Sequence, residues 1–218
     1  MAGLLPRPQD QADPLRRHQA TSLRTRTRHG MSKYLDVMVD IETTGTHPEH
    51  NGIIQIAAVR FNAVEMTVDA GDMFDRCLMV APNRFWEEST RAFWQGKNLK
   101  VYQQIVSRME DPAVVLKAFQ DWANKGRAPS DEPLRFWGKP TSFDYSFIQS
   151  YFRQFALHLP FHYRYGRDMN SYIAGLRGDP DHPEINVPFS GDVHNALHDV
   201  LHQIKTIFVA KEETKCSA

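Results

Sequence analysis

From residue 35 onward the chain sets short apolar runs of β character against longer segments of helical period. Leu35-Asp36-Val37-Met38-Val39-Asp40-Ile41-Glu42 is apolar enough to read as a buried strand that ends in carboxylates. Gly45 and Pro48 break it. Ile53 to Phe61 reads as a second strand and Met73 to Val80, more mixed in polarity, as a weaker third, so three strands in succession predict an antiparallel meander. From Glu87 the period changes. Thr90 to Gln95, Val101 to Arg108 and Ala113 to Asn124 have helical spacing, and Asp111-Pro112 supplies an N-cap followed by a proline at the first helical position. Leu134 to Trp137 reads as a short strand and Ser142 to Phe155 as a helix whose stripe of Tyr145, Phe147, Tyr151, Phe152 and Phe155 is simplest as a buried face. Tyr163 to Arg167 is a fifth strand, Met169 to Leu176 a helix and Val193 to Val209 the closing helix. Strands first, then strands alternating with helices, predict an α/β fold with a mixed five-stranded sheet flanked by helices.

Residues 1 to 30 have no such pattern. They carry six arginines, three prolines and two aspartates, and read as a disordered basic extension ahead of a single domain over 31–218. An upstream start before Met31 is the preferred account, beside a nucleic-acid-binding arm or an organellar transit segment. The extension changes the meaning of the whole-chain charge. The 218 residues hold 26 basic and 26 acidic side chains, yet the extension is +4 and the rest −4, so the formal zero joins two unlike parts. With 41% hydrophobic and 24% charged residues the chain is globular in composition, which excludes collagen-like and low-complexity classes. Two cysteines, Cys77 and Cys216, make no disulfide framework, and no apolar run is long enough to span a membrane. A reducing, cytoplasmic location is the expectation.

The candidate chemistry lies at three places. Asp40 and Glu42 stand two apart on a strand, so both leave the same face about 6.6–6.8 Å apart, a spacing that also describes any solvated strand end. A hard divalent cation would relieve the repulsion between them. Phe143-Asp144 follows the fourth strand through Gly138-Lys139-Pro140, and Thr141 or Ser142 is expected to cap the helix, with Asp144 in its first turn. That turn after a strand is where sites in α/β sheets gather. His194-Asn195-Ala196-Leu197-His198-Asp199 opens the last helix, where His194 suits a base near neutrality and Asp199 a ligand. A zinc hydrolase on His194 and His198 at i, i+4 is disfavoured, because Asn195 stands where the metalloprotease pattern has glutamate.

Taken in order, Asp40-Ile41-Glu42-Thr43-Thr44-Gly45, Phe143-Asp144 and His194 with Asp199 resemble the three motifs of the DnaQ-like DEDDh 3'-5' exonucleases. The resemblance runs from about Leu35 to Val209. Phe93-Trp94, Trp137-Gly138 and Phe143-Asp144 are similar in particular to the compact branch with phage exonuclease A and small bacterial exoribonucleases. It implies an RNase H-like fold and hydrolysis of the terminal phosphodiester with two divalent cations, Mg²⁺ or Mn²⁺. Asp40, Glu42, Asp144 and Asp199 then match the metal-binding acids and His194 the general base. Thr43, Thr44 and Gly45 look like a turn lying against the terminal nucleotide, Gly45 being free to take positive φ, with Phe143 as a further substrate contact. The implied partner is a nucleic-acid 3' end, on a single strand or a 3' overhang, with DNA and RNA both open. A catalytically silent nucleic-acid-binding module on the same fold is the alternative.

The chain departs from the branch at four positions. Lys139-Pro140 replaces the usual Asn-Gly and brings a cation towards a phosphate, while His198 and Met169 replace an acid and a threonine. Asp168 resembles an acid that supports the site, and equally suits an N-cap for the helix that follows it.

Overall fold

The computed structural model describes residues 35–216. The basic extension expected over residues 1–30 lies outside them. The meander forms as β1 (Asp36–Thr43), β2 (Ile53–Asn62) and β3 (Thr67–Leu78), followed by α1 (Glu88–Gln95), α2 (Leu99–Val106), β4 (Met109–Glu110) and α3 (Pro112–Asn124). Then come β5 (Arg135–Gly138), α4 (Thr141–Gln154), a 3₁₀ turn over Tyr163–Tyr165, β6 (Gly166–Asp168), α5 (Met169–Arg177) and α6 (Ala196–Cys216). The strand order is β4-β3-β2-β1-β5-β6, with β1, β2 and β3 antiparallel and the other pairings parallel.

The sheet therefore has six strands where five were expected. The extra one, β4, pairs only Met109 and Glu110 with Cys77 and Leu78, and two residues carry no periodicity to read. The fifth expected strand is partly a 3₁₀ turn, with the ladder held by 166–168 instead.

Period two along β1 sorts its side chains between two cores. Val37, Val39 and Ile41 pack with Leu116 and Phe119 of α3 and with Phe147, Tyr151 and Phe152 of α4, as the aromatic stripe predicted. Met38 faces the other way, with Val200, Ile204 and Ile207 of α6 and Met169 of α5. Asp40 and Glu42 share the parity of Met38, so the alternation that buries the strand also aims both carboxylates at α6.

Local capping follows the sequence in α3, where the Asp111 side chain accepts from the N–H groups of Ala113 at 2.9 Å and Val114 at 3.2 Å. Elsewhere it departs. Neither Thr141 nor Ser142 caps α4; Pro140 precedes the helix without a side-chain cap. The Thr141 N–H is taken by Asp168 Oδ2 at 3.1 Å, while Asp168 Oδ1 accepts from the Ser171 N–H at 2.9 Å. One carboxylate thus serves the first turns of both α4 and α5. The closing helix begins at Ala196, not Val193, because Asn195 Oδ1 accepts from the N–H groups of Leu197 at 3.2 Å and His198 at 3.4 Å.

Candidate metal and nuclease site

The end of β1, the first turn of α4 and the first turn of α6 converge at one end of the sheet. Asp40, Glu42 and Asp199 each offer a carboxylate oxygen, and the three oxygens lie within 4.8 Å of one another. Asp144, 3% exposed, reaches the same place from the other side of β1, its Oδ1 accepting the Ile41 N–H at 3.2 Å. All four acids line one cavity of about 360 Å³, together with Lys139, Phe143, His194, His202 and Gln203. The sequence-predicted acids and base are thus brought together.

Electrostatics there is unfavourable to bare carboxylates. Burial, then the charges of Asp144 and Asp199, raises Asp40 well above the ordinary carboxylate range, against one lowering hydrogen bond from Gln203. Glu42 is raised likewise by burial and by Asp40, Asp199 and Asp144. Burial pushes Asp144 up to about 8 and Asp199 up to about 6, although backbone N–H groups, that of His194 on Asp199 among them, pull both back. Among the described residues none of the four has a Lys or Arg within ion-pair distance. Clustered, half-buried to buried all-oxygen donors without an ion-pair partner are the donor set of a hard divalent cation, so the site suits divalent metal.

His194 sits in the turn before α6 with φ of 64°, outside the helix where it was expected. It does not share a helical face with His198, whose Nδ1 instead accepts the Asp192 N–H at 2.9 Å. The zinc arrangement is therefore absent. The His194 ring stands edge-on to Phe93 at 4.9 Å between centroids, and burial, then the nearby Lys97, lowers its pKa below 6.5. Neutral imidazole is the form a base requires.

A second cavity of about 330 Å³ adjoins the first, sharing Ile41, Glu42, Phe143 and His194 and adding Thr43, Gly45, Ser89, Thr90 and Phe93. Of the expected substrate contacts, Thr43, Gly45 and Phe143 face it. Thr44 does not. It is fully buried, its hydroxyl donating to Phe85 O at 2.6 Å and accepting from the Gly52 N–H at 2.6 Å. Gly45 needs no positive φ; its reason is space, since a Cβ there would lie 2.4 Å from Asn51 Cγ.

Two site residues escaped sequence reasoning. Gln203, four residues after Asp199 and hence on its helix face, gives its Nε2 hydrogen to Asp40 Oδ1 at 2.8 Å. The other is Phe93: Trp94 beside it is core, 1% exposed with its Nε1 donating to Thr43 O at 3.0 Å, whereas Phe93 packs on that core only in part and its ring also meets His194 at the cavity. Helical spacing i, i+4 from a ligand was the available signal for Gln203; nothing local separates Phe93 from Trp94.

A family model described as the 3'-5' exoribonuclease Rv2179c-like domain matches residues 35–210. No curated protein matches the chain in sequence. Among solved structures, the nuclease domain of 3'hExo, a DEDDh family member bound to rAMP, is similar at a TM-score of 0.62 and 16% identity over 85% of this chain and 96% of that one. Cell-death related nuclease 4 gives 0.61 and 16% over 82% and 64%. Exonuclease I from E. coli with a dA16 oligonucleotide gives 0.58 and 17% over 82% of this chain and 42% of that one, so the present chain spans less than half of exonuclease I. At these identities the likeness is one of fold, and it agrees with the expected RNase H-like architecture. The family match, in contrast, spans β1 through most of α6 and encloses all four acids and the histidine. On that match the chain belongs to the Rv2179c-like 3'-5' exoribonuclease domain family.

Proposed function

We propose that this protein hydrolyses the terminal phosphodiester at the 3' end of a nucleic-acid strand, single or overhanging, and releases nucleoside monophosphates. The observation that carries the reading is the convergence of Asp40, Glu42, Asp144 and Asp199 in one cavity with a neutral His194 on its rim. The four acids would hold two divalent cations, Mg²⁺ or Mn²⁺. When bound, these lower the pKa of water and stabilise charge on the phosphoryl oxygens.

The chain's own groups do the rest. His194 takes a proton from water as the water oxygen bonds to phosphorus; the P–O3' bond breaks, and the departing oxygen takes a proton from solvent. The second cavity is of a size for one nucleoside, with Phe93 and Phe143 offering ring faces and Thr43 and Gly45 a backbone floor. Thr44 holds that floor in place from beneath. Lys139, exposed and without an ion-pair partner among the described residues, adds a positive charge to the rim for a phosphate. The oligonucleotide on exonuclease I and the rAMP on 3'hExo support a nucleic-acid ligand for this fold.

The test is nucleotide release from end-labelled single-stranded and duplex DNA and RNA, with Mg²⁺, with Mn²⁺ and with chelator. Metal-dependent release of monophosphates from the 3' end is expected. Release that persists in chelator, or in Asp40→Ala, would overturn the reading.

A further inference from the structure

The segment Gly191–His194 lies between two helices and is fastened to each. The Asp192 carboxylate accepts from Lys100 Nζ at 2.8 Å and, at 3.5 Å, from Gln104 Nε2, both on α2. On the other side the Asp192 N–H donates to His198 Nδ1 on α6 at 2.9 Å. Gly191 takes φ of 107° and passes so close to the imidazole that a Cβ there would lie 2.6 Å from His198 Cγ. Two residues beyond Asp192, His194 holds φ of 64°, a strained conformation for a residue with a side chain, and one that persists only where its surroundings over-determine it. Its ring rests on Phe93 of α1.

His198 does not line the acid cavity; beyond its charge, which lowers the pKa of the adjacent Asp199, its contact with the site runs through Asp192, whose N–H engages its Nδ1. We infer that His198 and Asp192 are positioning residues that strap the turn between α2 and α6 and thereby fix the His194 imidazole beside the acids. The inference rests on His194 being the base. It also assigns a use to the histidine that stands where the compact branch has an acid: its Nδ1 accepts a backbone N–H here.

Three site-directed variants and two readouts test it in the full chain. His198→Ala is expected to lower kcat by about 10- to 100-fold with KM within about twofold, the scale of a misplaced catalytic group. His198→Asn, whose Oδ1 accepts the same N–H, is expected to recover most of that loss. The second readout is independent of turnover: the His194 ring-proton NMR resonances, shifted by the Phe93 ring, should move towards random-coil positions in His198→Ala and stay in His198→Asn. Should His198→Ala not fold, Lys100→Met tests the other anchor on an exposed side chain and should lower kcat by a few-fold in the same sense. Unmoved resonances with unchanged kcat in His198→Ala would overturn the strap, as would a His198→Asn variant as impaired as the alanine. If the parent releases no nucleotide, the proposed function fails, while the NMR comparison still decides the strap.

Discussion

Gln203 donates its amide hydrogen to Asp40 at 2.8 Å, while its own carbonyl oxygen, buried beside the acid cavity, has no protein partner among the described residues. That bond fixes which way the Asp40 carboxylate turns and favours its charged form against burial. Removing it with Gln203→Leu is expected to weaken divalent-metal affinity and activity by about 10- to 100-fold, the usual effect of a lost ligand-orienting group. Calorimetric titration with Mn²⁺ alongside nucleotide release checks this; full affinity in the variant would show that the bond orients nothing of consequence.

The metal-free fold should lose stability as pH rises. Asp144 titrates near 8 in the fold against an ordinary value of 3.8, so between these pH values the folded state holds a proton that the unfolded state has released. Its contribution to unfolding free energy therefore falls from pH 4 to pH 8, and Asp199, raised to about 6, adds to the fall below neutrality. Thermal melts in chelator should decline over this range. Divalent metal, or Asp144→Asn, should flatten the slope, and a melting temperature that rises with pH in chelator would contradict the electrostatics of the site.

His194→Ala should lower kcat by about 10²- to 10⁴-fold, as expected for loss of a general base. Because burial and then Lys97 lower the His194 pKa, the acidic limb of the rate profile at saturating metal should lie below pH 6.5. Lys97→Met removes the repulsion and should move that limb upward. A limb that shifts down, or stays fixed in His194→Ala, would assign the titration to another group.

Lys139 tests the path of the strand. Lys139→Met is expected to reduce the slope of log affinity against log salt by about one, because one phosphate contact is lost. Fluorescence anisotropy with labelled oligonucleotide in chelator reads this without turnover. An unchanged slope would leave the phosphate to other residues.

Much of the site was legible because strand alternation is local. Asp40 and Glu42 must share a face whatever surrounds them, and Asp111 must cap what Pro112 begins. The errors fell where a distant group decides a local conformation. Asp168, 27 residues away, takes the N–H of Thr141 in the helix start that Thr141 or Ser142 was expected to cap. Asn195 starts α6 one turn late and leaves His194 outside it, so the i, i+4 histidine pair never forms. Thr44 and Gly45 belong to a turn whose roles are set by Phe85, Gly52 and Asn51.

By itself the sequence determined the meander, the helical layer and the parity that points two carboxylates at one side of the sheet, since period two and period 3.6 are properties of the backbone alone. Only the tertiary structure decided that Asp144 arrives across β1 and Asp199 from α6, that Gln203 restrains Asp40, and that Asp192 and His198 fasten the turn carrying His194. Those relations join residues up to 163 positions apart. Their carboxyl pKa values follow from burial and mutual charge, which exist only once the sheet and α6 have closed on one another.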